Sequence, residues 1–158
     1  MSDRQRLERL MTLRERRERL TQAALMEQHH RCQAEARRID RLDGDLARER
    51  SDFDRLEREW FDAMQGTTLS AQELEQARQA IDDHYRRQAE LTEARRAADL
   101  EHRRQLAERE RCASEWVRRT RARQALGSLL ERHRRADHIA AEGRHELDIE
   151  DDAPRGGH

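Results

Sequence analysis

The apolar residues Ile39, Leu42, Leu46, Phe53, Leu56, Trp60 and Met64 are spaced by alternating steps of three and four, broken only at Glu49. That spacing puts them on one stripe of a helix and is the seam pattern of a left-handed coiled coil. Upstream, Leu7, Leu10, Leu13, Leu20, Ala24 and Leu25 continue the stripe less regularly. A second pattern runs through Leu74, Ala77, Ile81, Tyr85, Leu91, Ala98, Leu106, Cys112, Trp116, Val117, Leu126, Leu130 and Ile139. Its middle, from Arg86 to Glu110, is rich in Ala and poor in large apolar side chains.

Between the two patterns lies Gly66-Thr67-Thr68-Leu69-Ser70-Ala71-Gln72-Glu73-Leu74. Gly66 suits a left-handed C′ position that closes a helix. Ser70 and Glu73 have the spacing of a capping box, and Leu69 and Leu74 that of a hydrophobic staple. Ser2 and Gln5 repeat the capping-box spacing at the N-terminus. The reading is therefore helix 1 over 1–65, a turn over 66–70 and helix 2 over 71–142, with Gly143 as its stop. Residues 143–158 then form a disordered acidic tail. Gly44 interrupts helix 1 at a cost of about 1 kcal/mol relative to Ala; Leu42 and Leu46 hold the register across it.

One test links the two patterns. In an antiparallel pair, facing residues have position numbers with a nearly constant sum. Phe53–Tyr85, Leu46–Leu91, Ile39–Ala98, Leu25–Cys112, Leu20–Val117, Leu10–Leu126 and Leu7–Leu130 all satisfy it. The fold class expected is all-α, a long antiparallel two-helix coiled-coil hairpin: a thin rod closed at one end by the turn.

Composition agrees. Charged residues make up 42% of the chain and aromatics 3%, which excludes a thick globular core and suits long helices. The net charge of −1 supplies no overall field towards nucleic acid or membrane. All cationic side chains are arginine. Met1 to Arg19 is dense in Arg and Glu, unlike a signal peptide, and no run reaches the roughly 18 apolar residues of a membrane span. A soluble, cytoplasmic protein is expected, without direct membrane insertion.

Chemistry is sparse. Cys32 and Cys112 lie about two helical turns apart in this register, too far to bridge, and read as small seam residues. His29-His30-x-Cys32 and His133 with His138 do not place a full set of zinc ligands. There is no nucleophile–base set, phosphate loop or His-Glu-x-x-His motif, and two helices offer no concave pocket. No enzyme activity and no cofactor are expected. Charge is more informative. Both strands at the terminal end are basic, and Arg4, Arg6, Arg9, Arg14, Arg16, Arg17, Arg118, Arg119, Arg121 and Arg123 are the candidate partner-binding residues. Arg4 and Arg6 stand in a first turn, where the helix dipole disfavours cations, which points to an acidic partner. Nucleic acid is the weaker candidate, because Glu8, Glu15 and Glu18 interleave and no aromatic platform accompanies the arginines.

Arg58-Glu59-Trp60-Phe61, then Gly66-Thr67-Thr68-Leu69-Ser70 and Glu73-Leu74-Glu75, resembles the central hairpin of the YscO group. These are the stalk proteins of bacterial type III secretion, related to the flagellar FliJ protein. Met11-Thr12-Leu13-Arg14-Glu15-Arg16-Arg17 and Gln28-His29-His30-Arg31 are similar to that group too, so the likeness spans about Leu7 to Gln88. The resemblance implies a non-enzymatic stalk whose terminal end inserts in the hexameric secretion ATPase. It implies coupling of that ATPase to the export gate, escort of secretion chaperones, and a place at the cytoplasmic face of the apparatus. No catalytic residues carry over. Two other classes fit the pattern: a coiled-coil chaperone or scaffold that dimerises, and a nucleic-acid-associated coiled coil.

Overall fold

The computed structural model describes residues 2–66 and 68–152. It is all-α, with two long helices packed against each other as a hairpin: α1 (Asp3–Met64) and α2 (Ala71–Asp152). No strand occurs among the described residues.

Both expected capping boxes form. Ser2 N–H donates to Gln5 Oε1 at 3.1 Å, and Gln5 N–H returns a bond to Ser2 Oγ at 3.3 Å. At the start of α2, Glu73 N–H donates to Ser70 Oγ at 3.2 Å and Ser70 N–H to Glu73 Oε2 at 3.4 Å. Each box satisfies two orphan N–H groups of a first turn.

The turn departs from expectation in two ways. Gly66 is not left-handed, and no described residue has a positive φ. Instead α1 ends on a tightened turn, with Gln65 N–H donating to the Asp62 carbonyl at 3.4 Å. Glycine and β-branched threonine are weak helix formers, so Gly66 and Thr68 stop α1 without a special backbone conformation. Nor does the staple form. Leu69 is half-buried and lines a groove with Leu56, Trp60 and Ala77, while Leu74 is exposed.

Gly143 does not end α2. The helix runs on to Asp152, because one glycine costs only about 1 kcal/mol and the following Arg144, His145, Glu146 and Leu147 tolerate helix. Residues 143–152 of the expected tail are therefore helical, and 153–158 lie outside the described residues. Gly44 likewise leaves α1 continuous.

The seam itself is more regular than the apolar pattern suggested. Counting by fours and threes from Leu7 gives Met11, Arg14, Glu18, Thr21, Leu25, Gln28, Cys32, Glu35, Ile39, Leu42, Leu46, Glu49, Phe53, Leu56 and Trp60. Every one is buried or half-buried. Leu10, Leu13, Leu20 and Ala24 fall outside this phase and are exposed, Leu20 to 61%. Met64 is exposed as well, in the last turn of α1. On α2, Leu74, Tyr85, Val117 and Ile139 leave the expected stripe for the surface. Seam positions there include His84, Ala98, Gln105, Cys112, Leu126 and Leu130. The pairs Leu20–Val117 and Leu10–Leu126 are thus corrected, and Phe53 stacks on His84 rather than facing Tyr85 alone. A strict heptad phase, once locked by Ile39 to Trp60, carries through polar residues that a hydrophobicity reading skips.

The chain forms two compact units. Residues 27–110 make one, which holds the turn. Its register is fixed by Phe53 against His84, Asp43 against Arg95 and Gln28 against Gln105. Residues 1–26 and 111–158 make the other. There Arg14 meets Ala122, Glu18 meets Arg123, and Met11 approaches Gly127. Cys32 is buried in the first unit and Cys112 in the second, and neither forms a disulfide.

Candidate functional site: a polar seam and an arginine surface

The seam of the turn-bearing unit is held by named polar contacts. His84, 7% exposed, stacks on Phe53 with ring centroids 3.9 Å apart and planes 4° from parallel. Its Nδ1 lies 3.2 Å from Glu49 Oε1, so the buried ring has a polar partner. Trp60 meets Phe53 edge-on at 6.3 Å, a favoured aromatic geometry. Farther along, the buried Gln28 donates from Nε2 to the Gln105 carbonyl at 3.1 Å and also to Gln105 Oε1. Gln105 Nε2 in turn donates to Glu101 Oε1 at 2.8 Å. Arg95 Nε donates to Asp43 Oδ1 at 2.7 Å, and this hydrogen bond with its charge raises the Arg95 pKa.

In the other unit the ten candidate arginines divide sharply. Arg14 enters the seam and donates from Nη1 to the Ala122 carbonyl at 2.8 Å. Arg123 pairs with Glu18 across the helices. Arg118 and Arg119 both grip Glu115, Arg119 Nε at 2.9 Å. Burial pushes the Glu115 pKa up, but the bonds and charges of Arg119 and Arg118 outweigh it and hold the carboxyl below its ordinary value. Arg4 pairs with Glu8 at 3.2 Å and Arg6 with Asp3 at 3.8 Å, both on the exposed surface. Such surface pairs are weak and exchange readily for outside partners.

Arg9, Arg16, Arg17 and Arg121 are different. They are exposed, and no ion pair among the described residues engages them. Of the ten, these four are free to meet an outside anion at no cost in hairpin contacts. Sequence reasoning grouped them with Arg14 and Arg123 because composition cannot separate a seam arginine from an outward one. Heptad phase can: Arg9 and Arg16 sit two positions beyond the seam residues Leu7 and Arg14, facing out.

A second surface was missed. Around the turn, Phe61, Met64 and Leu74 expose large apolar side chains, beside a groove of about 500 Å³ lined by Leu56, Trp60, Leu69 and Ala77 among others. Among the described residues no group of three or more His, Cys, Asp and Glu side chains is placed to hold a metal ion, and no helix is long and apolar enough to cross a membrane. No family model matches the chain, and no curated protein and no solved structure matches it either.

Proposed function

We propose that the protein is the non-enzymatic stalk of a type III secretion ATPase, acting at the cytoplasmic face of the apparatus. The observation that carries the reading is the set of outward arginines on the unit formed by residues 1–26 and 111–158. Arg9, Arg16, Arg17 and Arg121 are exposed and have no ion pair among the described residues, whereas the other six candidate arginines already have partners within the hairpin. A ring with an acidic bore gains charge-assisted bonds to them without desolvating an existing pair. The likeness of the turn region to the YscO group supports the same reading. The apolar side chains Phe61, Met64 and Leu74 supply a surface for the export gate or for chaperones.

The test is capture of the secretion ATPase by full-length protein in which Arg9, Arg16, Arg17 and Arg121 are replaced by Glu. Capture is expected to fall at least about tenfold while helix content is kept, because none of the four holds the hairpin together. Undiminished capture overturns the proposal.

A further inference from the structure

We propose that the protein pairs with a second copy of itself, the acidic end of α2 in one copy lying along the basic leucine stripe of α1 in the other. Four observations lead there, all within the unit of residues 1–26 and 111–158.

The first is an overhang. With Met11 against Gly127 and Arg14 against Ala122, the start of α1 falls opposite about Arg135. Residues 136–152 of α2 therefore have no α1 residue across from them, yet they remain helical. Ile139 is 68% exposed and Leu147 60%. Spacings of four link Ile139, Gly143 and Leu147, which puts them on one side of the helix. A helix end with apolar residues and no partner is incomplete as it stands.

The second is a stripe. Leu10, Leu13 and Leu20 are all exposed and, with Arg17 and Ala24, recur in steps of three and four. That is a second heptad line on α1, separate from the seam that faces α2. Leu20 is 61% exposed, Leu13 42% and Leu10 37%, so each keeps apolar surface open to a partner.

The third is charge. Glu142, Glu146, Asp148, Glu150, Asp151 and Asp152 crowd the overhang against the single Arg144. Arg9 and Arg16 border the leucine stripe, Arg17 stands within it, and none of the three has an ion pair among the described residues. The two surfaces are opposite in sign and share an apolar centre, which is the arrangement that steers and registers an interface.

The fourth is length and direction. The overhang and the stripe from Arg6 to Ala24 are each roughly 25 Å long at 1.5 Å per residue. Because α2 is continuous through Gly143, the overhang leads away from its own α1 and cannot fold back on the stripe of the same copy. Two copies meeting at these ends place each overhang parallel to the other's α1. Twofold symmetry then uses the contact twice, doubling the buried area towards the ~1,200–2,000 Å² of a standard interface. Arg9, Arg16 and Arg17 are also side chains that the ATPase reading assigns to the ring, so self-pairing and ring binding are alternative uses of this surface, and sedimentation of the protein alone tests the pairing without the ATPase.

Sedimentation of the full chain at low and high salt tests it. The wild type is expected to run at twice its 18.9 kDa mass at low salt and to dissociate as salt rises. Ile139→Arg with Leu147→Arg, and separately Leu13→Glu with Leu20→Glu, should each weaken pairing about tenfold or more with helix content kept. Mixing a chain carrying Glu146→Arg and Glu150→Arg with one carrying Arg16→Glu and Arg17→Glu should restore a mixed dimer that neither forms alone. A wild type that stays monomeric at tens of micromolar overturns the proposal and leaves the stripe to a different protein. A dimer indifferent to both pairs of substitutions also overturns it, since its interface then lies elsewhere.

Discussion

Phe53 and Phe61 provide a direct test of the seam, because one substitution in one helix samples both sides of it. Phe53 is 9% exposed and Phe61 63%. A phenylalanine buries about 200 Å² when enclosed, so at ~25 cal/mol per Å² its burial is worth roughly 5 kcal/mol. Alanine keeps only the methyl share of that. Phe53→Ala further loses the stack on His84 and the edge contact with Trp60, and it leaves a void between two helices. The expected cost is about 3–5 kcal/mol, the usual range for a buried phenylalanine. Phe61→Ala should stay within about 0.5 kcal/mol, because the lost contacts are few and alanine is the better helix former. Urea unfolding followed by far-ultraviolet circular dichroism measures both. If the two variants differ by less than ~1 kcal/mol, the phase assigned to α1 is wrong.

Two further outcomes follow from the polar contacts. Gln28→Leu should destabilise by about 1–3 kcal/mol, because Gln105 Oε1 loses its donor in a buried seam. Gln28→Leu with Gln105→Leu should recover most of that loss, and a double-variant cost equal to the sum of the two single-variant costs in urea titrations would show that the pair is not coupled. Glu115 sets a pH dependence. Its folded pKa is depressed below the ordinary 4.5, so the stabilisation from Arg119 and Arg118 is complete above that value and lost as pH falls through the folded pKa. Glu115→Gln should therefore lower the unfolding midpoint at neutral pH and match the wild type once the acid is strong enough to protonate both states; a gap that persists unchanged in acid would refute the assignment.

The hairpin was legible because its strongest signals are local. Ser70 with Glu73, and Ser2 with Gln5, announce helix starts through side chains that bond their own backbone three residues away. The spacing from Ile39 to Trp60 fixes the phase, and pairs such as Ile39–Ala98 and Leu46–Leu91 fix the register. What escaped reading depends on the partner helix. Nothing local marks Gln28 as a seam residue until Gln105 stands across from it. Nor does composition reveal that Arg14 turns inward while Arg16 turns out. Leu10, Leu13 and Leu20 look like seam residues because apolar character was taken as burial, and that inference runs reliably only in the other direction. The same error hid the arginine surface, since four outward arginines were counted with six that the hairpin already employs.

A seam with Arg14, Glu18, Gln28, Glu35 and Glu49 among its positions sacrifices apolar area that leucine would have buried. In a two-helix hairpin that sacrifice has a physical return. A uniform leucine seam slides by a heptad with little penalty, and it attracts any other apolar helix. Gln28 bonded to Gln105, or His84 set between Phe53 and Glu49, has its partner in one register only, and a slip leaves buried groups unpaired at about 1–3 kcal/mol each. The polar seam thus holds α1 to α2 in a single alignment while the leucines outside it, Leu10, Leu13 and Leu20, stay on the surface. Register is specified by the buried polar residues, and association by the exposed apolar ones, which reverses the usual division of labour between core and surface.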